Sequence, residues 1–282
     1  RLSEFTKEQL EVSQDYFTQF KEHNPKEIQL IGLKHINLKA ASEQIRKQLQ
    51  KAEQENAQTT ISESDKGALK EAKFAHLHNH TQFSVLQSTI GVSDLVSATA
   101  KNNMNAVAMT DTANMMGAFH FVSAVMNYNK AAKAKMEAAI EAGEEVTDSQ
   151  IKPIVGCEYN ICENHLDKTK KDNGYQVVLL AKNKKGYHNL AKMSSIAFTE
   201  GFYYVPRIDK SVIEKYKEDV MVLSGNLYGE IPSKILNIGE VQAEEALIWW
   251  KEQFGDDFYL EIMRHNQEDE NRVNKTLIEF SH

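Results

Sequence analysis

Residues 76 to 80 read His-Leu-His-Asn-His, and because alternate side chains of an extended chain share a face, the three imidazoles can converge on one point. Neutral imidazole is a good ligand for zinc, iron or nickel, so this spacing suits a borderline divalent metal. A plainer reading is also open, in which a His-rich strand end holds its rings in solvent. The interior position excludes an affinity tag. Three further groups follow short apolar runs: Asp111 after Ala-Val-Ala-Met-Thr, Glu158 after Ile-Val-Gly-Cys, and His265 after Leu-Glu-Ile-Met-Arg. Functional groups of β/α architectures collect at the C-terminal ends of strands. Singly, Asp111 reads as a helix cap, Glu158 as a strand-edge carboxylate and His265 as a surface histidine. Together they are harder to dismiss.

The elements that must position these groups show as short apolar runs between helical patterns. The runs are Phe74–Leu77, Ala106–Met109, Ile154–Tyr159, Val177–Leu180, Val220–Leu223 and Phe258–Ile262. Separated by helices, they predict parallel β/α units that could close into a barrel. Ser93 is expected to cap a helix through Asn102, with Asp94 favourable in its first turn. Upstream, residues 7 to 21 and 37 to 56 have amphipathic helical patterns. Between Gln54 and Lys73 apolar residues thin out among Ser, Thr, Asp and Lys, the composition of a solvated linker. The expected organisation is a helical connector over 1–73 and an α/β domain over 74–282, with residues 55 to 70 mobile and open to proteases.

A chain of 282 residues is long enough to bury a real core. Its formal charge of −7 argues against binding nucleic acid through a broadly basic surface, so any DNA contact is local or made elsewhere. The cysteines, Cys157 and Cys162, lack the spacing of a zinc knuckle and read as buried thiols. With no signal peptide or long apolar run, the composition fits a reduced, cytoplasmic protein. Lys182 to Lys185 read as a solvated loop, and Trp249 and Trp250 as core and rim of a helix ending at Phe254. The start at Arg1 and the stop at His282 within a helical pattern suggest a piece of a longer protein.

Several blocks together resemble a known family. They are His-Leu-His-Asn-His-Thr-Gln-Phe-Ser (76–84), Ala-Met-Thr-Asp-Thr-Ala-Asn-Met-Met-Gly-Ala (108–118), Ile-Lys-Pro-Ile-Val-Gly-Cys-Glu (151–158), Leu-Leu-Ala-Lys-Asn-Lys-Lys-Gly-Tyr-His-Asn-Leu (179–190) and Gly-Phe-Tyr-Tyr-Val-Pro-Arg-Ile-Asp (201–209). In this order they are similar to the PHP (polymerase and histidinol phosphatase) domains of bacterial DNA polymerase III α subunits, from about residue 74 onward. The resemblance implies a distorted (β/α)7 barrel whose rim, in active members, holds divalent metals that hydrolyse phosphoesters. His78, His80, Glu158 and His265 match the family's ligands, with Asp111 adjacent. Gln87, Thr112 and Gln176 stand where active members have an acid, a histidine and a histidine. Amide and hydroxyl groups are poor ligands beside carboxylate and imidazole, so the expected site is weak or vacant, with zinc, manganese or magnesium at low occupancy.

By the same resemblance the last barrel strand, with an Asp-x-His motif, would lie beyond His282. The expected barrel is therefore open, with an apolar gap near Phe258–Ile262. Residues 1–73 look like the connector that follows a DnaQ-type proofreading exonuclease fused upstream. Implied partners are the palm, thumb and fingers of a DNA-directed DNA polymerase, the exonuclease, and DNA through the full-length protein; no membrane is implied. Two functions follow: a structural and interaction module with a degenerate metal site, or a metal-dependent phosphoesterase such as a 3′–5′ editing nuclease. Metal content separates them.

Overall fold

Strand alternation decides how the core is divided. In β3 (Tyr175–Ala181), Val177 and Leu179 face one apolar cluster while Val178 and Leu180 face another, so both sides of the strand are buried. The computed structural model describes residues 74–143 and 150–282. In chain order the remaining elements are α1 (Val92–Lys101), β1 (Ala106–Met109), α2 (Ala118–Glu141), β2 (Lys152–Cys162), α3 (Lys184–Thr199), β4 (Arg207–Asp209), α4 (Lys210–Tyr216), β5 (Val220–Leu223), α5 (Glu230–Asn237), α6 (Glu240–Phe254), β6 (Phe258–Tyr259) and α7 (Glu268–Phe280). The outer face of β2, β3 and β5 packs on α3, α5, α6 and α7 through residues such as Tyr159, Leu179, Leu190, Ile231 and Trp250. A second cluster joins α1, β1 and α2 through Leu95, Val107, Met109, Phe121 and Val125. The inner face holds only a small apolar group, Ala108, Val178, Leu180 and Leu223. Glu158 belongs to this inner face, opposite Val178 in the ladder, which in turn lies opposite Leu223.

The sheet runs β1-β2-β3-β5-β6, with β4 on β2. It is a mixed α/β arrangement, consistent with a distorted barrel. Three expectations need correction. No helix separates β2 from β3; the two pair antiparallel, as do β3 and β5, whereas β1, β4 and β6 join their neighbours in parallel. Gly156 permits this close pairing, because a Cβ there would sit 2.5 Å from Leu180 Cδ2 and 2.7 Å from the Leu179 carbonyl. The short strand β4 carries no long apolar run and was not expected. Its Arg207 is fully buried and donates to the backbone carbonyls of Gly201, Asp172 and Asp167. Ser93 does not cap α1 either: the N-cap is Gly91, without a side-chain bond, and Asp94 is in the first turn as expected.

The first expected strand is reduced to one bridge, His76 to Val107, and β6 to two residues. Between them lies a cleft of about 740 Å³ lined by Phe74, Leu77, His78, Leu223, Tyr259 and Ile262 among others. Among the described residues no strand fills it. Trp250 is buried in the core and donates its Nε1–H to Glu230 at 2.8 Å. Lys182 pairs with Asp257 and Lys185 with Glu218, so these lysines are compensated at the surface. No described helix is long and apolar enough to cross a membrane. The expected connector and mobile linker over 1–73 lie outside the described residues.

Candidate metal centre

The segment after His76 runs beside β1 because its backbone is paired there. Ala108 N–H donates to the His76 carbonyl at 2.9 Å, and Thr110 N–H donates to that of Asn79 at 2.8 Å. The Thr110 hydroxyl accepts from Asn79 N–H at 2.9 Å. This extended run turns His78 and His80 to the same side. His76 is exposed, its ring edge-on to Phe74, so two imidazoles converge and the third does not. The Thr112–Glu158 bridge brings β2 against the loop that follows β1, and Glu158 is fully buried at that point.

His78, His80 and Glu158 each offer a ligand atom within 4.8 Å of the others. His78 Nε2 lies 3.1 Å from Glu158 Oε2, and His78 Nδ1 lies 2.8 Å from Glu261 Oε1. His80 Nε2 stands 3.4 Å from Glu158 Oε1 without forming a hydrogen bond. Burial opposes a charged imidazole at His78, yet the two glutamates outweigh it and raise its pKa to about 9. Burial likewise opposes an ionised Glu158, and the imidazoles of His78 and His80 outweigh that, holding the carboxyl down at about 2. The centre is therefore an ionised carboxylate against a charged ring at neutral pH.

Gln87, Thr112 and Gln176 each make hydrogen bonds within the fold. The Thr112 hydroxyl lies 2.8 Å from Gln87 Oε1 and 3.1 Å from Glu158 Oε1, joining the two. The Gln176 side chain accepts from Asn226 at 2.8 Å, and its backbone N–H donates to the Tyr228 carbonyl at 2.9 Å. Asp111 is fully buried and serves the loop after the histidines. It accepts from Thr81 N–H, the Thr81 hydroxyl and the Ser84 hydroxyl at 2.6, 2.7 and 2.6 Å. His265 is outside the three-residue cluster and 65% exposed, and its Nδ1 lies 2.7 Å from Glu270 Oε1 at the start of α7.

Glu261 escaped the sequence reading. Its signal was present: an acid inside the apolar run Phe258–Ile262, at the end of a strand. Its backbone N–H donates to Ser224 Oγ at 2.8 Å, which anchors it beside β5.

Two buried atoms have no hydrogen-bond partner among the described residues, His80 Nε2 and Glu261 Oε2. A ring nitrogen that makes no hydrogen bond, 3.4 Å from a carboxylate and beside a second imidazole, belongs to a donor set that fits one divalent ion, of the kind that leaves a coordination position open. Among the described residues this is the one group of three such ligand atoms, and Gln87 and Thr112 beside it are neutral. A bound divalent ion would supply Lewis-acid polarisation of an oxygen atom placed at its open position.

Comparison with known proteins identifies the family. Residues 76–265 match the model of the PHP domain. DNA polymerase III subunit alpha of Borreliella burgdorferi is 38% identical over 214 residues, which are 74% of this chain and 17% of that protein. The corresponding subunit of Aquifex aeolicus is 38% identical over 218 residues, with the same coverage, and that of Thermus aquaticus 37% over 216 residues, covering 74% and 16%. The chain thus spans about a sixth of the length of these relatives. A histidine pair on an extended segment, a buried glutamate on β2 and a family match across both place the chain in the PHP domain family.

Proposed function

We propose that this chain is the PHP module of a cytoplasmic replicative DNA polymerase III α subunit and works there as a structural and interaction module. The observation that carries the reading is the hydrogen-bond network in which Gln87 and Thr112, both neutral, join Glu158, while His78 joins Glu158 and Glu261. Such a site holds one ion weakly, zinc, manganese or magnesium, through His78, His80 and Glu158. For His265 to join them, its ring would have to leave Glu270. The nucleotidyl transfer belongs to the palm, thumb and fingers of the longer subunit, to which this domain is a brace. A proofreading exonuclease is its docking partner, and DNA is met through the full-length protein. A working phosphoesterase is the second reading, favoured by His80 Nε2, which no hydrogen bond occupies.

Elemental analysis and a phosphodiesterase assay separate the two. The purified chain is expected to carry less than one ion per molecule, and added Mn²⁺ or Zn²⁺ is expected to produce no hydrolysis of single-stranded DNA. Gln87→Asp combined with Thr112→His is expected to raise metal content, since it returns a carboxylate and an imidazole beside Glu158. Two or three tightly bound ions in the unaltered chain, with hydrolysis abolished by His80→Ala, would establish the nuclease.

A further inference from the structure

A histidine that binds a metal through one nitrogen commonly donates the other N–H to a carboxylate, which fixes the ring and makes the free nitrogen a better donor. We propose that Glu261 is the positioning residue of His78: by accepting the Nδ1–H, it fixes the ring and aims Nε2 at the point shared with Glu158 and His80. The inference deepens the reading of those three residues as the holder of one divalent ion, and rests on it.

Four observations support the assignment. Glu261 Oε1 is 2.8 Å from His78 Nδ1, a hydrogen-bond distance, while the opposite nitrogen is the one turned to Glu158. Glu261 does not belong to the group of ligand atoms lying within 4.8 Å of one another, so its place is behind the ring. It is itself held: Ser224 Oγ accepts its backbone N–H at 2.8 Å, and Ser224 N–H donates to the Tyr259 carbonyl at 2.9 Å. Finally, the His78–Glu261 contact crosses the cleft between the segment at residues 76–80 and the end of β6, joining residues 183 positions apart. The orientation of His78 therefore depends on the placement of a distant strand.

The test uses the full chain with Glu261→Ala and Glu261→Gln. Zn²⁺ affinity is measured by titration calorimetry against a competing chelator, and the His78 ring is followed by ¹⁵N-edited NMR of the imidazole nitrogens. Glu261→Ala is expected to weaken Zn²⁺ binding roughly 10- to 100-fold and to abolish the slowly exchanging Nδ1 proton of His78. Glu261→Gln, whose amide oxygen still accepts, is expected to keep that proton and recover part of the affinity. A brace without a positioning role would lower the melting temperature of Glu261→Ala and leave both readouts unchanged; affinity within twofold and an unaltered Nδ1 signal would overturn the proposal. If the unaltered chain takes up no Zn²⁺, the single-ion reading of the site fails, and the NMR arm decides alone. Loss of the Nδ1 proton in Glu261→Ala then upholds the role of Glu261, and its persistence refutes it.

Discussion

Replacing Asp111 by alanine is expected to destabilise the chain by about 3 kcal/mol. The carboxylate is fully buried and accepts three hydrogen bonds, from Thr81 N–H and from the hydroxyls of Thr81 and Ser84. Hydrogen bonds to a charged acceptor contribute about 1.5–3 kcal/mol each, and a buried donor left without a partner keeps its full desolvation cost. The hydroxyls can rotate towards other acceptors, but the Thr81 backbone N–H cannot, so the total stays below a simple sum. Asp111→Asn keeps an acceptor for that N–H and should cost about 1 kcal/mol, the smaller loss expected when a neutral acceptor remains. Urea unfolding measures both. A change below about 0.5 kcal/mol in Asp111→Ala would show that the loop after the histidines is held by something else. The same loop carries Gln87, so Asp111→Ala is also expected to loosen the Gln87–Thr112 contact at the metal centre.

Stability of the metal-free chain is expected to fall on the alkaline side, and His78 is the reason. Its pKa is raised from an ordinary 6.5 to about 9 by Glu158 and Glu261 against the opposing effect of burial. A raised value means the folded state holds the proton more tightly than the unfolded one. The resulting stabilisation is complete below about pH 6.5 and is lost as pH climbs through about 9. Glu158 behaves in the opposite sense: held down from 4.5 to about 2, it stabilises above about pH 4.5 and loses this as pH drops towards 2. A plateau between these windows is expected, with an alkaline limb of about 3.5 kcal/mol at most, from roughly 1.4 kcal/mol per pKa unit. His78→Gln should flatten the limb. Denaturation in EDTA at pH 6 and pH 9.5 reads the difference, and equal stabilities would refute the charged pairing. The same proton competes with metal, so Zn²⁺ affinity should rise about tenfold per pH unit between pH 6.5 and 9. A flat affinity across that range would mean that His78 Nε2 is not a ligand.

The relation of these groups to the sequence differs from one to the next. The pair His78 and His80 was legible because period-two geometry is local: alternate residues of an extended chain point the same way whatever surrounds them. Strands β1, β3 and β5 were legible for a related reason, since burial on both faces demands a continuous apolar run, and few other elements write one so short. Strand β4 was not, because Arg207 and Asp209 are satisfied by partners from remote loops, which no local pattern encodes. The antiparallel course of β3 was hidden as well; the loop between β2 and β3 has the length of a connection that could run either way.

The sequence by itself determined which residue types were at hand: two imidazoles on one face, a carboxylate ending each of two strands, and neutral side chains at 87, 112 and 176. Only the tertiary structure decided which of them meet. It left His76 in solvent, gave His265 to Glu270, made Asp111 a loop anchor, and brought Glu261 behind His78 from 183 residues away. The physical reason is that a metal centre is a set of distances of a few ångströms, whereas chain order constrains only near neighbours. Partners from β2 and from the end of β6 reach His78 through strand pairing across the whole sheet, and the selection between them follows from burial and hydrogen bonding that exist only once the sheet has formed.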